Sequence, residues 1–151
     1  MQLIFTTIEM ATVSGWGHTS SSGTLATSLM AAQIKVRDHG NCTRTFGRIS
    51  RTVPSKTICA GGFRDACGGD SGGPLTCFNN VTNRHYLCGI VSWGVSCNDT
   101  ANKQFPGVYT DVRKFENWIE RSWWKMNNCT LSISIFLGHD VDNSHRFPFQ
   151  I

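Results

Sequence analysis

The ten residues "DACGGDSGGP", Asp65 to Pro74, decide how this chain is read. Four glycines, two aspartates, one cysteine and one serine end in a proline, a composition that suits neither a core strand nor a helix. Two readings compete. One is a tight surface turn with an incidental serine. The other is a loop that exposes Ser71 as a nucleophile, which requires backbone N–H groups aimed at a developing oxyanion. Gly68 and Gly69 before Ser71, with Gly72 and Gly73 after it, let the chain turn sharply and let a substrate reach the backbone. "GDSGG" (69–73) formally fits the G-x-S-x-G elbow, but that elbow needs a helix directly after its serine, and here Gly72, Gly73 and Pro74 lead into a β-type run. A phosphate-binding loop is excluded by the lack of Gly-Lys-Ser/Thr.

Outward from the loop, short β-type runs alternate with turn signals. They are "ATVSGWG" (11–17), "MAAQIKV" (30–36), "KTICAGG" (56–62), "PLTCF" (74–78), "HYLCGIVSWG" (85–94) and "PGVYTDV" (106–112). "HYLCGIVSWG" is nearly continuous in apolar residues, which predicts a strand buried on both faces. A Ser/Gly/Thr-rich loop covers 19–24, "RDHGNC" reads as a polar turn, and "FNNVTNR" as a hairpin loop. One helix is predicted over 111–126, "DVRKFENWIERSWWKM". Phe115, Trp118, Ile119 and Ser122 share a face, and Asp111 is placed as N-cap. The domain is expected to span 1–126, with 127–151 a poorly ordered tail. The fold class expected is an antiparallel all-β domain closed by a C-terminal helix.

Composition narrows the function. The 151 residues carry a net charge of +4, but the bases are scattered and form no stripe for nucleic acid. Only 16% of residues are charged and 40% are hydrophobic, which excludes a disordered chain. The seven cysteines (42, 59, 67, 77, 88, 97 and 129) show no CxxC spacing, so disulfides in an oxidising compartment are expected rather than a metal site. Four sequons, at Asn41, Asn80, Asn98 and Asn128, agree with a secreted glycoprotein. "MQLIFTTIEMATVSG" lacks a basic n-region and a long apolar run, so the natural start is expected upstream. "LSISIFL" (131–137) is too short to span a membrane.

Taken in order, "SGWG" (14–17), "ICAGG" (58–62), "DACGGDSGGPL" (65–75), "GIVSWG" (89–94) and "PGVYTDV" (106–112) resemble the chymotrypsin/trypsin family of serine endopeptidases over about residues 10–125. The resemblance implies the second six-stranded Greek-key barrel of that fold, with the first barrel missing. It implies Ser71 as nucleophile, the N–H groups of Gly69 and Ser71 as oxyanion hole, and Asp65 at the base of a pocket for Arg or Lys side chains, the roles these positions hold in the family's catalytic template. Gly94 and Gly107 match the pocket walls. Ser92, Trp93 and Gly94 match the segment that takes the substrate backbone as an added strand. Asp70 matches the aspartate that pairs with the amine freed by zymogen cleavage. Cys42–Cys59 and Cys67–Cys97 match family disulfides. The usual partner of Cys77 would stand at position 11, which is alanine. Because Cys77 and Cys88 flank one hairpin, a bridge between them is the expectation, with Cys129 left unassigned.

The template's histidine base and its buried aspartate are not found before Ser71, nor is the start that activation releases. His18, His39, His85, His139 and His145 are read as surface or tail residues rather than substitutes. No cofactor and no metal are expected. Three readings of function stand. The first is a trypsin-like endopeptidase present as a fragment, inactive by itself, whose partners are Arg/Lys-containing substrates, protease inhibitors and the missing barrel. The alternative is a non-catalytic pseudoprotease or truncated product that only binds. A disulfide-rich structural domain with no site is the weakest reading.

Overall fold

The structure, a computed structural model, describes residues 9–20, 23–62, 65–95 and 105–137, with side chains described to 126 in the last stretch. Among the described residues six strands form: β1 (Met10–Gly15), β2 (Met30–Arg37), β3 (Thr57–Ala60), β4 (Pro74–Asn79), β5 (Arg84–Trp93) and β6 (Gly107–Asp111). All pairings are antiparallel, and the order β1-β2-β3-β6-β5-β4 closes on itself, as the sequence predicts. β1, β2 and β3 pair in sequence, and the long connection from β3 then sets β4 beside β1, which is the Greek-key step. β5 pairs with β4 and β6 with β5, and β6 against β3 closes the barrel.

Alternation places the core. In β1, Ala11 and Val13 point inward and meet Ile34, Leu75, Val91 and Tyr109. β5 departs from its predicted two-sided burial. Cys88 and Val91 are buried, but Leu87 is 43% exposed. A strand of a closed barrel has one inner face only, so its apolar outer residues remain at the surface.

"RDHGNC", read as a turn, instead opens a helix, α1 (His39–Gly47). Asp38 caps it, its Oδ1 accepting from Asn41 N at 2.8 Å. Cys42 and Phe46, one helical turn apart, are both buried with Val53, Cys59, Phe105 and Val108 in a second apolar cluster. The Cys42–Cys59 disulfide joins α1 to β3. A second disulfide, Cys77–Cys88, joins β4 to β5 with both cysteines fully buried. Ala11 of β1 lies directly opposite Cys77 in the β1–β4 register, so the position without a cysteine faces the one that pairs elsewhere. Cys67 is disulfide-bonded as well, and its expected partner Cys97 lies outside the described residues, as does Cys129 in its side chain.

The chain divides into two units, residues 1–113 and 114–151. At the end of the first, buried Asp111 holds the Arg113 guanidinium through two 2.8 Å bonds and accepts from Arg113 N at 3.3 Å. The aspartate thus caps a short 3-10 turn (Val112–Phe115) rather than the α-helix itself. The hydrogen bonds that the guanidinium donates to Asp111 are also the main reason the Arg113 pKa is raised. In the second unit, α2 spans Glu116–Leu137, eleven residues beyond the predicted end at 126. The expected tail is therefore helical to Leu137, and 138–151 lie outside the described residues. No helix among the described residues is long and apolar enough to cross a membrane.

Candidate active site

The glycine-rich loop joins β3 to β4, and hydrogen bonds on both sides of Ser71 fix its shape. Asp70 N donates to Cys67 O (3.0 Å) and Gly73 N to Asp70 O (2.8 Å), forming two successive turns. Beyond the serine, Gly72 N donates to Val91 O (3.0 Å) and Val91 N to Gly73 O (2.9 Å), tying the loop to β5. Ser71 is left exposed at the tip. Among the described residues, the N–H groups of Gly69 and Ser71 have no protein acceptor. Gly69 has φ of +96°, and a side chain there would strike Leu25 and the Gly17 backbone at 2.9 and 3.1 Å. No other residue type fits that turn without strain.

Asp70 turns away from Ser71 toward β1. Its Oδ1 accepts from Gly17 N (2.7 Å) and its Oδ2 from Cys67 N (2.9 Å). A Cβ at Gly17 would lie 2.5 Å from the Asp70 carboxyl carbon, and one at Gly15 would collide with Oδ1. The glycines of "SGWG" therefore make room for this carboxylate. No cation pairs with Asp70 among the described residues.

Asp65 stands five residues earlier in the same loop. Its Oδ1 accepts from Tyr109 Oη (2.5 Å) and from Ala66 N (2.8 Å), and its carboxylate lies against Gly61 and Gly107. Burial pushes the Asp65 pKa up to about 6 against these hydrogen bonds, which favour the charged form. Burial, then the Asp65 charge beside it, pushes the Tyr109 phenol up as well, so it stays a neutral donor. Gly107 opens β6, and a Cβ there would strike Asp65 Oδ1; Gly94 lies close by, 3.9 Å from the Gly107 Cα at its Cβ position. Asp65, Gly94 and Gly107 are thus brought together. Ser92 and Trp93 end β5, where a register shift between Val91 and Trp93 leaves Ser92 as the extra, exposed residue. A cavity of about 430 Å³ adjoins both acids, walled by Gly15, Gly17, Met30 and Ala32 as well as Asp65 and Asp70.

Tyr109, Gly61 and Ala66 were not singled out from sequence. Period-two alternation along β6 places Tyr109 on the face of Gly107, and that was the available signal. His18 donates its backbone N–H to Gly68 O (2.8 Å), His39 reaches Pro54 O (3.1 Å) and His85 packs at a tilt against Phe78. Among the described residues no histidine hydrogen-bonds Ser71; His139 and His145 lie outside them.

Comparison with known proteins accords with this geometry. The Trypsin family model matches residues 5–119. Trypsin iota of Drosophila melanogaster is 44% identical over 113 residues, covering 74% of this chain and 41% of that protein. Phenoloxidase-activating factor 1 of Holotrichia diomphalia is 40% identical over 114 residues, covering 74% and 30%. Among solved structures, neuropsin, a serine protease expressed in the limbic system of mouse brain, superposes with a TM-score of 0.64 at 32% identity, covering 77% of this chain and 48% of that one. The chain belongs to the trypsin family of serine proteases, which are hydrolases, and it spans less than half the length of these relatives.

Proposed function

We propose that this chain carries the nucleophile, oxyanion hole and primary specificity pocket of an endopeptidase that cleaves after Arg or Lys. The observation that carries the reading is the pair of unpartnered N–H groups, Gly69 and Ser71, beside an exposed serine hydroxyl. In that chemistry the Ser71 oxygen bonds to the scissile carbonyl carbon, and the two N–H groups take the charge that develops on the carbonyl oxygen. Asp65, set among glycines, receives a guanidinium or ammonium, and Ser92, Trp93 and Gly94 pair with the substrate backbone. Asp70, held by two N–H groups and by no cation among the described residues, receives an activation amine. The serine proton needs a base, and among the described residues no histidine hydrogen-bonds Ser71. The base and its aspartate come from a first barrel outside this stretch. Substrates with Arg or Lys at the cut, protease inhibitors and that barrel are the partners. Disulfides and an exposed sequon at the Asn80 hairpin tip favour a secreted glycoprotein.

The test uses residues 1–151 alone. Benzamidine is expected to bind saturably and to be lost in Asp65→Asn. A fluorophosphonate probe is expected to leave Ser71 unlabelled, with at most about 10³–10⁴-fold residual catalysis over water. Absence of benzamidine binding sinks the pocket; robust Ser71 labelling sinks the missing base. The non-catalytic reading is favoured by the lack of a histidine on Ser71 among the described residues, and it gains if the chain binds benzamidine yet stays unlabelled after an added first barrel of a relative.

A further inference from the structure

Residues 39–64 contain no aspartate or glutamate but carry Arg44, Arg48, Arg51, Lys56 and Arg64. One of these bases is aimed. At the end of α1, Ile49 N and Arg51 N both donate to Phe46 O (3.0 and 3.1 Å), and Ser50 takes a φ of +54°. This left-handed turn sends the chain back on itself. It brings the Arg51 guanidinium carbon to 5.8 Å from the centre of the Trp93 ring. The indole is a fixed platform, because Phe46 packs edge-on against it at 4.9 Å. Arg51 is exposed and has no carboxylate partner among the described residues.

Stacking on an aromatic face orients a guanidinium without neutralising it. Its planar fork stays available to a carboxylate, which it binds in bidentate fashion. Trp93 lies between Ser92 and Gly94, the strand end assigned above to the substrate backbone. Gly72 N donating to Val91 O, and Gly73 O accepting from Val91 N, place Ser71 at the Val91 end of that segment. A peptide added antiparallel to β5 therefore has its reacting bond near Ser92, and its preceding residues pass Trp93 and Gly94.

We propose that Arg51, stacked on Trp93, is a second specificity determinant that recognises an acidic side chain in the residues preceding the basic one. The preferred substrate is then an acidic-then-basic peptide, its carboxylate on Arg51 and its cation on Asp65. The inference rests on the substrate-strand reading above, and its test separates the two.

Fluorescein-labelled peptides ending in arginine amide, with glutamates, alanines or lysines in the preceding positions, are titrated against residues 1–151 by anisotropy. The glutamate peptide is expected to bind about tenfold tighter than the alanine peptide, one charged hydrogen-bonded pair's worth. This gain should vanish in Arg51→Gln, survive in Arg48→Gln, and pass to the lysine peptide in Arg51→Glu. It should shrink at about 1 M salt, where screening acts within ~3 Å. Asp65→Asn should weaken all three peptides alike. Equal glutamate and alanine affinities with Asp65 dependence intact overturn the Arg51 assignment alone. A gain that survives Arg51→Gln also overturns it. Absence of Asp65-dependent binding for every peptide overturns the substrate-strand reading and this assignment with it.

Discussion

Asp65 links proton binding to cation binding. Its folded pKa, about 6, stands above the ordinary value of an unfolded aspartate because burial opposes the charge. Between about pH 4 and 6 the folded chain therefore holds more protons than the unfolded one, and stability falls as pH rises through that window. The favourable contribution of neutral Asp65 is complete below about pH 4 and lost above 6, with a total of roughly 3 kcal/mol. Urea midpoints measured from pH 4 to 7 should show this slope in the wild type and a smaller one in Asp65→Asn. Cation binding runs the other way. A guanidinium or amidinium needs the carboxylate, so benzamidine affinity should drop about tenfold per pH unit below 6 and level off above it. A pH-independent affinity across this range would place the cation elsewhere. The same residue shows where sequence stops. "DACGGDSGGP" marked Asp65 as an acid in a glycine-rich loop, but not that Tyr109, forty-four residues on, donates to it. That contact comes from barrel closure, which brings β6 beside the loop.

At the scale of elements, all six strands were legible because alternation and turn residues agree. α1 was not, because Gly40, Asn41, Thr43 and Thr45 are poor helix formers. Its signals were smaller: Asp38 three residues before Asn41, and Cys42 spaced four from Phe46. Tertiary burial of those two residues, with the Cys42–Cys59 bridge, outweighs the local preference. The hairpin bridge was legible as well, since Cys77 and Cys88 flank a turn and Ala11 stands where β1 faces Cys77. Replacing both Cys77 and Cys88 by alanine should cost about 2–3 kcal/mol, read from urea midpoints. Combining Ala11→Cys with Cys88→Ala should move the bridge rather than lose it. Peptide mapping without reductant should find position 11 joined to Cys77; two free thiols there would show that the β1–β4 register does not admit the bond.

For the molecule as a whole, the surface of the first unit carries large apolar groups. Trp16 is 59% exposed, Leu29 55% and Met30 52%, all on β1, β2 and the segments that flank them. Neighbouring exposed groups of this size mark a face that meets another protein surface. Expressed alone, residues 1–151 should self-associate, with a scattering mass that rises with concentration above 16.7 kDa, and Leu29→Ser with Met30→Ser should reduce the rise. A concentration-independent monomer would argue that these groups are covered by the chain itself. This exposure was foreseeable only through the resemblance to a two-barrel family, because nothing in the pattern of β1 and β2 alone tells an outer strand face from an interface.

The hairpin bridge also bears on the order in which the chain matures. A bond from position 11 to Cys77 closes a loop of 66 residues and must wait until β1 and β4 meet as the barrel shuts. Cys77–Cys88 closes only 11, within neighbouring strands that a microsecond hairpin brings together. The shorter loop constrains the unfolded chain by about 1.6 kcal/mol less. In exchange, its thiols need no distant partner to find each other, so this crosslink is placed to oxidise while the rest of the chain is still unfolded, and β1 is left to join the closing barrel through hydrogen bonds alone.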